Sequence, residues 1–191
     1  TGSWSVSFAV GGKKFRLATP SLANVYNALA AIACGRLLKV PARTIQLGLD
    51  KFRPPRGRQV IFRRRGMTLI DDTYNATPLS YRNAILTLSR MKGRGRAVLV
   101  CADMLELGET TEALRREVGA LAARTGVDAV WGCGALARFI VEGAAAAQPA
   151  GDIRHFDSPA QVLEVLKTYL RTGDVVLVKG SRGMRMESLV Q

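Results

Sequence analysis

The chain predicts an α/β fold: a mostly parallel sheet with helices on both faces. Three observations carry this reading. Beyond about residue 55, short apolar runs alternate with segments of helical periodicity. Runs such as "RAVLVC", "DAVWGC" and "DVVLVKG" are apolar at consecutive positions, as strands buried on both faces must be. Polar residues collect just after three of these runs, at "DDTYN", "ADMLELGE" and "KGSRG". In a parallel sheet those three ends emerge on one edge, the edge where such folds bind ligands.

The elements follow in order. "WSVSFAV" and "KKFRL" alternate and read as a β-hairpin turning at Gly11-Gly12. "TPSLANVYNALAAIACG" reads as a helix, with Thr19 as its cap, Pro20 in its first turn and Gly35 at its end. Leu22, Val25, Tyr26, Leu29 and Ala33 share its predicted apolar face. "ARTIQLGLDKF" reads as a second, short helix, and the Pro54-Pro55 and Gly57 region as a linker. "QVIF" and "MTLI" read as strands joined by the basic turn "RRRG". "LSYRNAILTLSRM" is helical, with Tyr81, Ala84, Ile85 and Leu88 at helix spacing and Thr77-Pro78 as cap and first turn. After the strand "RAVLVC" comes the helix "TTEALRREVGALAART", expected to turn Leu114, Val118 and Leu121 inward. "DAVWGC" and "DIRHF" are strands, with the helix "ALARFIVEGAAAA" between them. "SPAQVLEVLKTYL" is a helix with a capping box from Ser158 to Gln161. "DVVLVKG" is the last strand, and "RMESLV" starts a last helix.

The chain has 191 residues and is 48% hydrophobic, enough for a core. It contains no apolar run long enough to span a membrane and no secretory leader pattern. The sequence does not begin with Met, which points to a fragment. Cys34, Cys101 and Cys133 are far apart and form no metal-type pair, so buried, reduced thiols and a cytoplasmic setting are expected. His155 is the one histidine and is assigned a structural role; a His-based triad or multi-His metal site within this chain is excluded. The net charge is +13, concentrated in "KFRPPRGRQVIFRRRG", and implies anionic partners. A nucleic-acid-binding module is one reading of that run. It is disfavoured because only Phe52 and Phe62 stand beside the charges, too few for stacking platforms.

The three polar corners carry the candidate chemistry. Asp72 can accept hydrogen bonds, for example from a ribose diol, and Tyr74 and Asn75 offer donors and acceptors. Equally, Asp72 and Asn75 can serve a turn or cap. In "KGSRG", Lys179 and Arg182 bring charge, Ser181 a hydroxyl and the glycines accessible N–H groups, as in an anion cradle. No G-x-x-x-x-G-K-[ST] phosphate loop is present. Asn24 and Asn27 lie three apart on the first helix, either as ligand-facing amides or as plain surface ones.

In order along the chain, "SLANVYNALAAIA", "PPRGR", "LIDDTYNATPLSYRNAIL", "ADMLELGE" and "VVLVKGSRGMRME" resemble the closing half of the Mur ligases. "DDTYNA" and "DMLELGE" resemble the type that joins D-alanyl-D-alanine to UDP-MurNAc-tripeptide, where sister ligases tend to carry "DYAH". The resemblance implies that residues 1–50 are the tail of a middle, ATP-binding domain and that residues 51–191 form a Rossmann-like C-terminal domain. It implies a cytoplasmic, monomeric, ATP-dependent enzyme of peptidoglycan synthesis that works through an acyl phosphate. Its Mg2+ ligands and phosphate loop would lie upstream, so the isolated chain would be inactive. By the same resemblance Asn24, Asn27, Arg58 and Asp72 bind ATP, while Tyr74, Asn75, Lys179, Ser181 and Arg182 line the substrate side. No metal ligand and no catalytic residue is assigned within the chain, and no nucleic acid is expected. A non-catalytic domain that keeps the fold to bind nucleotides or amino acids is the alternative. The chain departs from the family pattern at Ala23 and Arg115, where a His is common, and at Ala102, where a Gly is usual.

Overall fold

The computed structural model describes residues 4–107, 111–148 and 151–190. The chain divides into two compact units, Thr1–Pro54 and Pro55–Gln191.

In the first unit, β1 (Val6–Val10) and β2 (Lys13–Leu17) form the expected antiparallel hairpin. Its turn uses Gly11 and Gly12 at φ 54° and 73°, a left-handed pair that glycine adopts without a Cβ penalty. Helices α1 (Leu22–Leu37) and α2 (Ala42–Asp50) pack Ala28, Ile32 and Leu49 against Phe15 and Leu17 of the hairpin.

The expectations for α1 need three corrections. The cap is Ser21, not Thr19: proline disfavours a helical residue before it, so Thr19 instead accepts a hydrogen bond from the Ser21 N–H ahead of the helix. Gly35 does not end the helix. A Cβ there would stand 2.8 Å from Ile45 Cδ1, so glycine admits α2 to close contact. The helix ends with Lys39 at φ 57°, the Lys39 N–H on the Arg36 carbonyl and the Val40 N–H on the Gly35 carbonyl: a Schellman closure with lysine where glycine is usual. The inward face is Ala28 and Ile32, while Tyr26 is 70% exposed. Cys34 is also exposed, against expectation; Cys101 and Cys133 are buried.

The second unit is a six-stranded sheet in the order β3-β4-β8-β5-β6-β7. The strands are β3 (Val60–Arg64), β4 (Met67–Asp72), β5 (Ala97–Ala102), β6 (Ala129–Cys133), β7 (Asp152–Phe156) and β8 (Val175–Lys179). Only β3 runs antiparallel, returning to β4 through Arg65 and Gly66 at φ 49° and 76°. Arg63, Arg64 and Arg65 are exposed on this hairpin.

Alternation along β5 shows how the faces are filled. Leu99 and Cys101 join a core with α3 (Pro78–Met91), α4 (Glu112–Arg124) and α5 (Arg138–Ala147). Val98, Val100 and Ala102 join Trp131, Met186 and α6 (Pro159–Tyr169) on the other face. Helix α3 begins at Thr77 with a capping box closed by Ser80. Helices α4 and α5 approach backbone to backbone, because a Cβ at Gly119 would overlap the Ile140 carbonyl and one at Gly143 the Arg116 carbonyl.

The inward stripe of α4 is rotated from the expected one. Leu114 is 38% exposed while Arg115 is 2% exposed. The Arg115 guanidinium donates to the Met104 carbonyl at 2.6 Å and to the Thr111 hydroxyl, which offset part of the cost of its burial, while its Nε has no partner among the described residues. At α6, Ser158 Oγ accepts from the Gln161 N–H, but the Gln161 side chain accepts from the Asp157 N–H, one residue outside the expected box. "RMESLV" forms no regular helix: two 3-10 turns, Arg182–Met184 and Met186–Leu189, flank Arg185 at φ 51°. His155 sits in β7 with Nε2 2.8 Å from the Gly134 carbonyl oxygen.

Asp174, before β8, ties the amino-terminal edge together. Its carboxylate accepts from the Arg96 backbone N–H, from Arg96 Nη2 at 2.6 Å and from the Arg171 N–H. Burial alone would raise its pKa, but Arg96 and the two backbone donors outweigh burial and hold it below the ordinary 3.8. The folded state therefore binds fewer protons than the unfolded state in that range. The resulting stabilisation is present above the unfolded value and lost as pH falls through the folded one. Asp174→Asn is expected to cost about 2–4 kcal/mol at neutral pH and to flatten the acid limb of the stability curve, read by urea unfolding between pH 3 and 7.

Candidate active site

The carboxyl ends of β4, β8 and β5 lie side by side, with Asp72 opposite Lys179 and Lys179 opposite Cys101. Three consecutive strands of the sheet therefore deliver the three polar corners to one edge. Residues 108–110 of the "ADMLELGE" corner lie outside the described residues.

At the centre is a buried ion pair. Lys179 Nζ donates to Asp72 Oδ2 at 2.8 Å and to the Asn75 carbonyl at 2.9 Å. Lys179 is 1% exposed and Asp72 7%. Burial pushes the Asp72 carboxyl up, opposed by the Lys179 charge and by the Gln59 backbone N–H. Burial likewise pushes the Lys179 ammonium down, opposed by Asp72. Beneath the pair the Tyr81 hydroxyl lies 2.8 Å from the Ala102 carbonyl and 3.0 Å from the Lys179 carbonyl, and it accepts from the Ala102 N–H. One phenol thus ties the ends of β5 and β8, and burial drives its pKa well above the ordinary value.

The remaining corner residues divide between structure and surface. Asp71 accepts from the Thr73 N–H and hydroxyl, which shapes the turn out of β4. The Asn75 side-chain oxygen accepts from the Ala76 N–H at 2.7 Å. Ser181 is buried: its N–H donates to the Asp103 carbonyl and its Oγ accepts from the Leu105 N–H, leaving the hydroxyl proton to give. Asp103 in turn accepts from the Leu136 and Ala137 N–H groups, fixing the entry to α5.

Tyr74 is 40% exposed and stands between two guanidinium groups, Arg58 at 4.2 Å and Arg182 at 5.5 Å from its ring centre. Such stacking holds the guanidinium plane while leaving its N–H edge free. Gly57 makes the approach possible: its φ is 72°, and the Tyr74 N–H donates to its carbonyl at 3.0 Å. Arg56, Gly57, Thr73, Tyr74, Arg182 and Glu187 line a cleft of about 430 Å³ here.

The structure therefore gathers Arg58, Asp72, Tyr74, Asn75, Lys179, Ser181 and Arg182 at one edge of the second unit. It places Lys179 beneath that edge, bound to Asp72, rather than in an open anion cradle. Asn24 and Asn27 are in the first unit, on α1, with Asn27 Nδ2 3.5 Å from Asn24 Oδ1. Asn24 Nδ2 is buried without a hydrogen-bond partner among the described residues. Arg56, Asp103 and Glu187 were not singled out from the sequence. Arg56 was hidden in a basic run, Asp103 in an acidic corner and Glu187 in an expected helix.

The Mur ligase, glutamate ligase domain family matches residues 57–182. The UDP-N-acetylmuramoyl-tripeptide–D-alanyl-D-alanine ligase of Bacillus subtilis is 35% identical over 169 residues, covering 88% of this chain and 37% of the relative. A crystal structure of MurF from Acinetobacter baumannii aligns with TM-score 0.79 and 30% identity, covering 93% of this chain and 38% of that one. The MurF ligase from Thermotoga maritima, solved with ADP, shares the fold at TM-score 0.80 and 24% identity, covering 96% of this chain and 41% of that one. The chain spans less than two fifths of the length of the curated relative. With two thirds of its length inside the matched domain, the chain belongs to the Mur ligase family.

Proposed function

We propose that this chain is the C-terminal part of an ATP-dependent ligase that joins D-alanyl-D-alanine to UDP-MurNAc-tripeptide in cytoplasmic peptidoglycan precursor synthesis, acting as a monomer. Residues 1–50 are assigned to the end of the ATP-binding middle domain and 51–191 to the C-terminal domain. The observation that carries the reading is the polar edge, where the Arg58 and Arg182 guanidinium groups both reach the Tyr74 ring and Lys179 pairs with Asp72.

The residues suit the ligands of such a reaction. Asn24 offers a buried amide without a partner, as an adenine edge would use. Arg58 makes no ion pair among the described residues, and its guanidinium edge is suited to a phosphate. ATP supplies the phosphoryl group that activates the tripeptide carboxylate as an acyl phosphate. The work of this chain is to hold the nucleotide through Asn24, Asn27, Arg58 and Asp72, and to present the incoming amine from the side of Tyr74, Asn75, Ser181 and Arg182. Lys179 acts on this side by holding Asp72 and the Asn75 carbonyl in place. Magnesium would take its ligands from the rest of the ligase and from the ATP phosphates.

The test is ligation by the full-length protein supplied with UDP-MurNAc-tripeptide, D-alanyl-D-alanine, ATP and Mg2+. The expected result is UDP-MurNAc-pentapeptide with stoichiometric ADP and phosphate, and no product from the 191-residue chain alone. A full-length protein that forms no pentapeptide, or a chain that ligates by itself, overturns the proposal.

A further inference from the structure

Among the described residues, Glu187 is the one acid that lines the edge cleft, which also contains Arg56, Tyr74 and Arg182. In a chain of net charge +13, a carboxylate beside arginines would ordinarily be drawn into an ion pair. Among the described residues neither Glu187 nor Arg56 nor Arg182 makes one. Opposite charges therefore share one concave surface without neutralising each other.

The position of Glu187 is built into the fold. Arg185 takes a left-handed conformation, φ 51°, which bulky side chains seldom adopt without a structural reason. The turn sends Met186 into the core, where it is fully buried with Ala102, Val178 and Trp131. Gly180 makes room for it, since a Cβ there would lie 3.0 Å from Met186 Cγ. With Met186 rooted in this way, the next residue is held at the cleft. In the same cleft Arg182 lies over the Tyr74 ring, 5.5 Å from its centre.

From this arrangement we infer that the cleft is a receptor for a short zwitterionic peptide, with Glu187 taking the free ammonium or amine and Arg182 the terminal carboxylate. The inference rests on the ligase reading, which identifies that peptide as the incoming D-alanyl-D-alanine, and makes Glu187 the residue that selects a free amino end. The volume of about 430 Å³ agrees, being near the small end of the roughly 300–1,000 Å³ typical of ligand sites.

The experiment is an NMR titration of the 191-residue chain with D-alanyl-D-alanine, its N-acetyl derivative and its C-terminal amide. Each blocked form is expected to bind about ten-fold more weakly than the free dipeptide, one charge-assisted contact being lost. Glu187→Gln is expected to bind the free and N-acetyl forms equally while still rejecting the amide; Arg182→Gln is expected to do the reverse. Arg182 is exposed and Glu187 half-buried, and neither makes an ion pair among the described residues, so amide spectra of the variants should otherwise match wild type. Glu187→Gln that keeps the wild-type preference for the free amine overturns the inference, as does a wild-type chain that binds the N-acetyl form as well as the dipeptide, or that binds no dipeptide. Pentapeptide formation by the full-length ligase decides the ligase reading separately. A working ligase whose Glu187→Gln chain keeps its preference loses this assignment alone.

Discussion

Lys179→Met is expected to destabilise the second unit by about 3–5 kcal/mol, and Asp72→Asn with Lys179→Met to recover most of that loss. The single change leaves a carboxylate that is 7% exposed without its cation, and also removes the donor to the Asn75 carbonyl. The double change removes both buried charges, whose desolvation opposes what their attraction supplies. The pH dependence has a definite sign. Burial already raises the Asp72 pKa above 3.8 despite Lys179. Between the unfolded and folded values the folded state binds the extra proton, so this contribution to stability is fully present below the unfolded value and falls as pH rises through the folded one. Without Lys179 the carboxyl moves further up and the window widens. The penalty of Lys179→Met should therefore shrink from neutral pH toward pH 5. Urea unfolding followed by Trp131, buried in the second unit, in a Trp4→Phe background reports this unit by itself. A loss under about 1 kcal/mol, the scale of a surface pair, or a penalty indifferent to pH, would sink the idea of a buried keystone.

The same pair shows which features a sequence can carry. Strands β4, β5 and β8 were legible because burial on both faces leaves unbroken apolar runs, and the β3–β4 and β1–β2 turns because their glycines mark left-handed backbone. The cap at Thr77 was legible because capping is local chemistry. Lys179 was not. Beside Gly180, Ser181 and Arg182 it has the composition of an anion loop. Its partner is set by sheet register, 107 residues away in Asp72, which no local pattern encodes. Ser181 was read as a ligand hydroxyl because nothing near it shows that the Leu105 N–H already donates to its oxygen. On α4, apolar periodicity favoured Leu114, whereas Arg115 turns inward because the Met104 carbonyl offers a distant partner. On α1 the stripe of larger residues was misleading, because the hairpin meets the helix at Ala28 and Ile32. Local rules thus located the elements and the polar edge. Pairings across the sheet decided which polar groups there are braces and which remain free.

Arg58 is among the free ones, and its removal separates function from folding. In the full-length ligase Arg58→Ala is expected to lower kcat about 100–1,000-fold, the usual scale for losing one donor to developing charge. Its effect on stability should stay within about 1 kcal/mol, because Arg58 is exposed, makes no ion pair among the described residues, and loses only its stacking on Tyr74 at 4.2 Å. Arg58→Lys should recover only part of the rate. An ammonium keeps the charge, but it has neither the planar face that lies on the ring nor the forked N–H edge that fits a phosphate. Tyr74→Leu should shift in the same direction more mildly, since the guanidinium survives but loses the surface that orients it. The measurement is initial rate against ATP at saturating tripeptide and dipeptide, alongside unfolding midpoints of the same variants. If Arg58→Ala lowers the rate less than about ten-fold while the protein stays folded, the guanidinium is not at the phosphates, and the ATP assignment at this edge would fall back on Asp72. A large rate loss at unchanged stability is expected only if Arg58 meets the ligand itself, because its contacts within the second unit are too few to act through the fold.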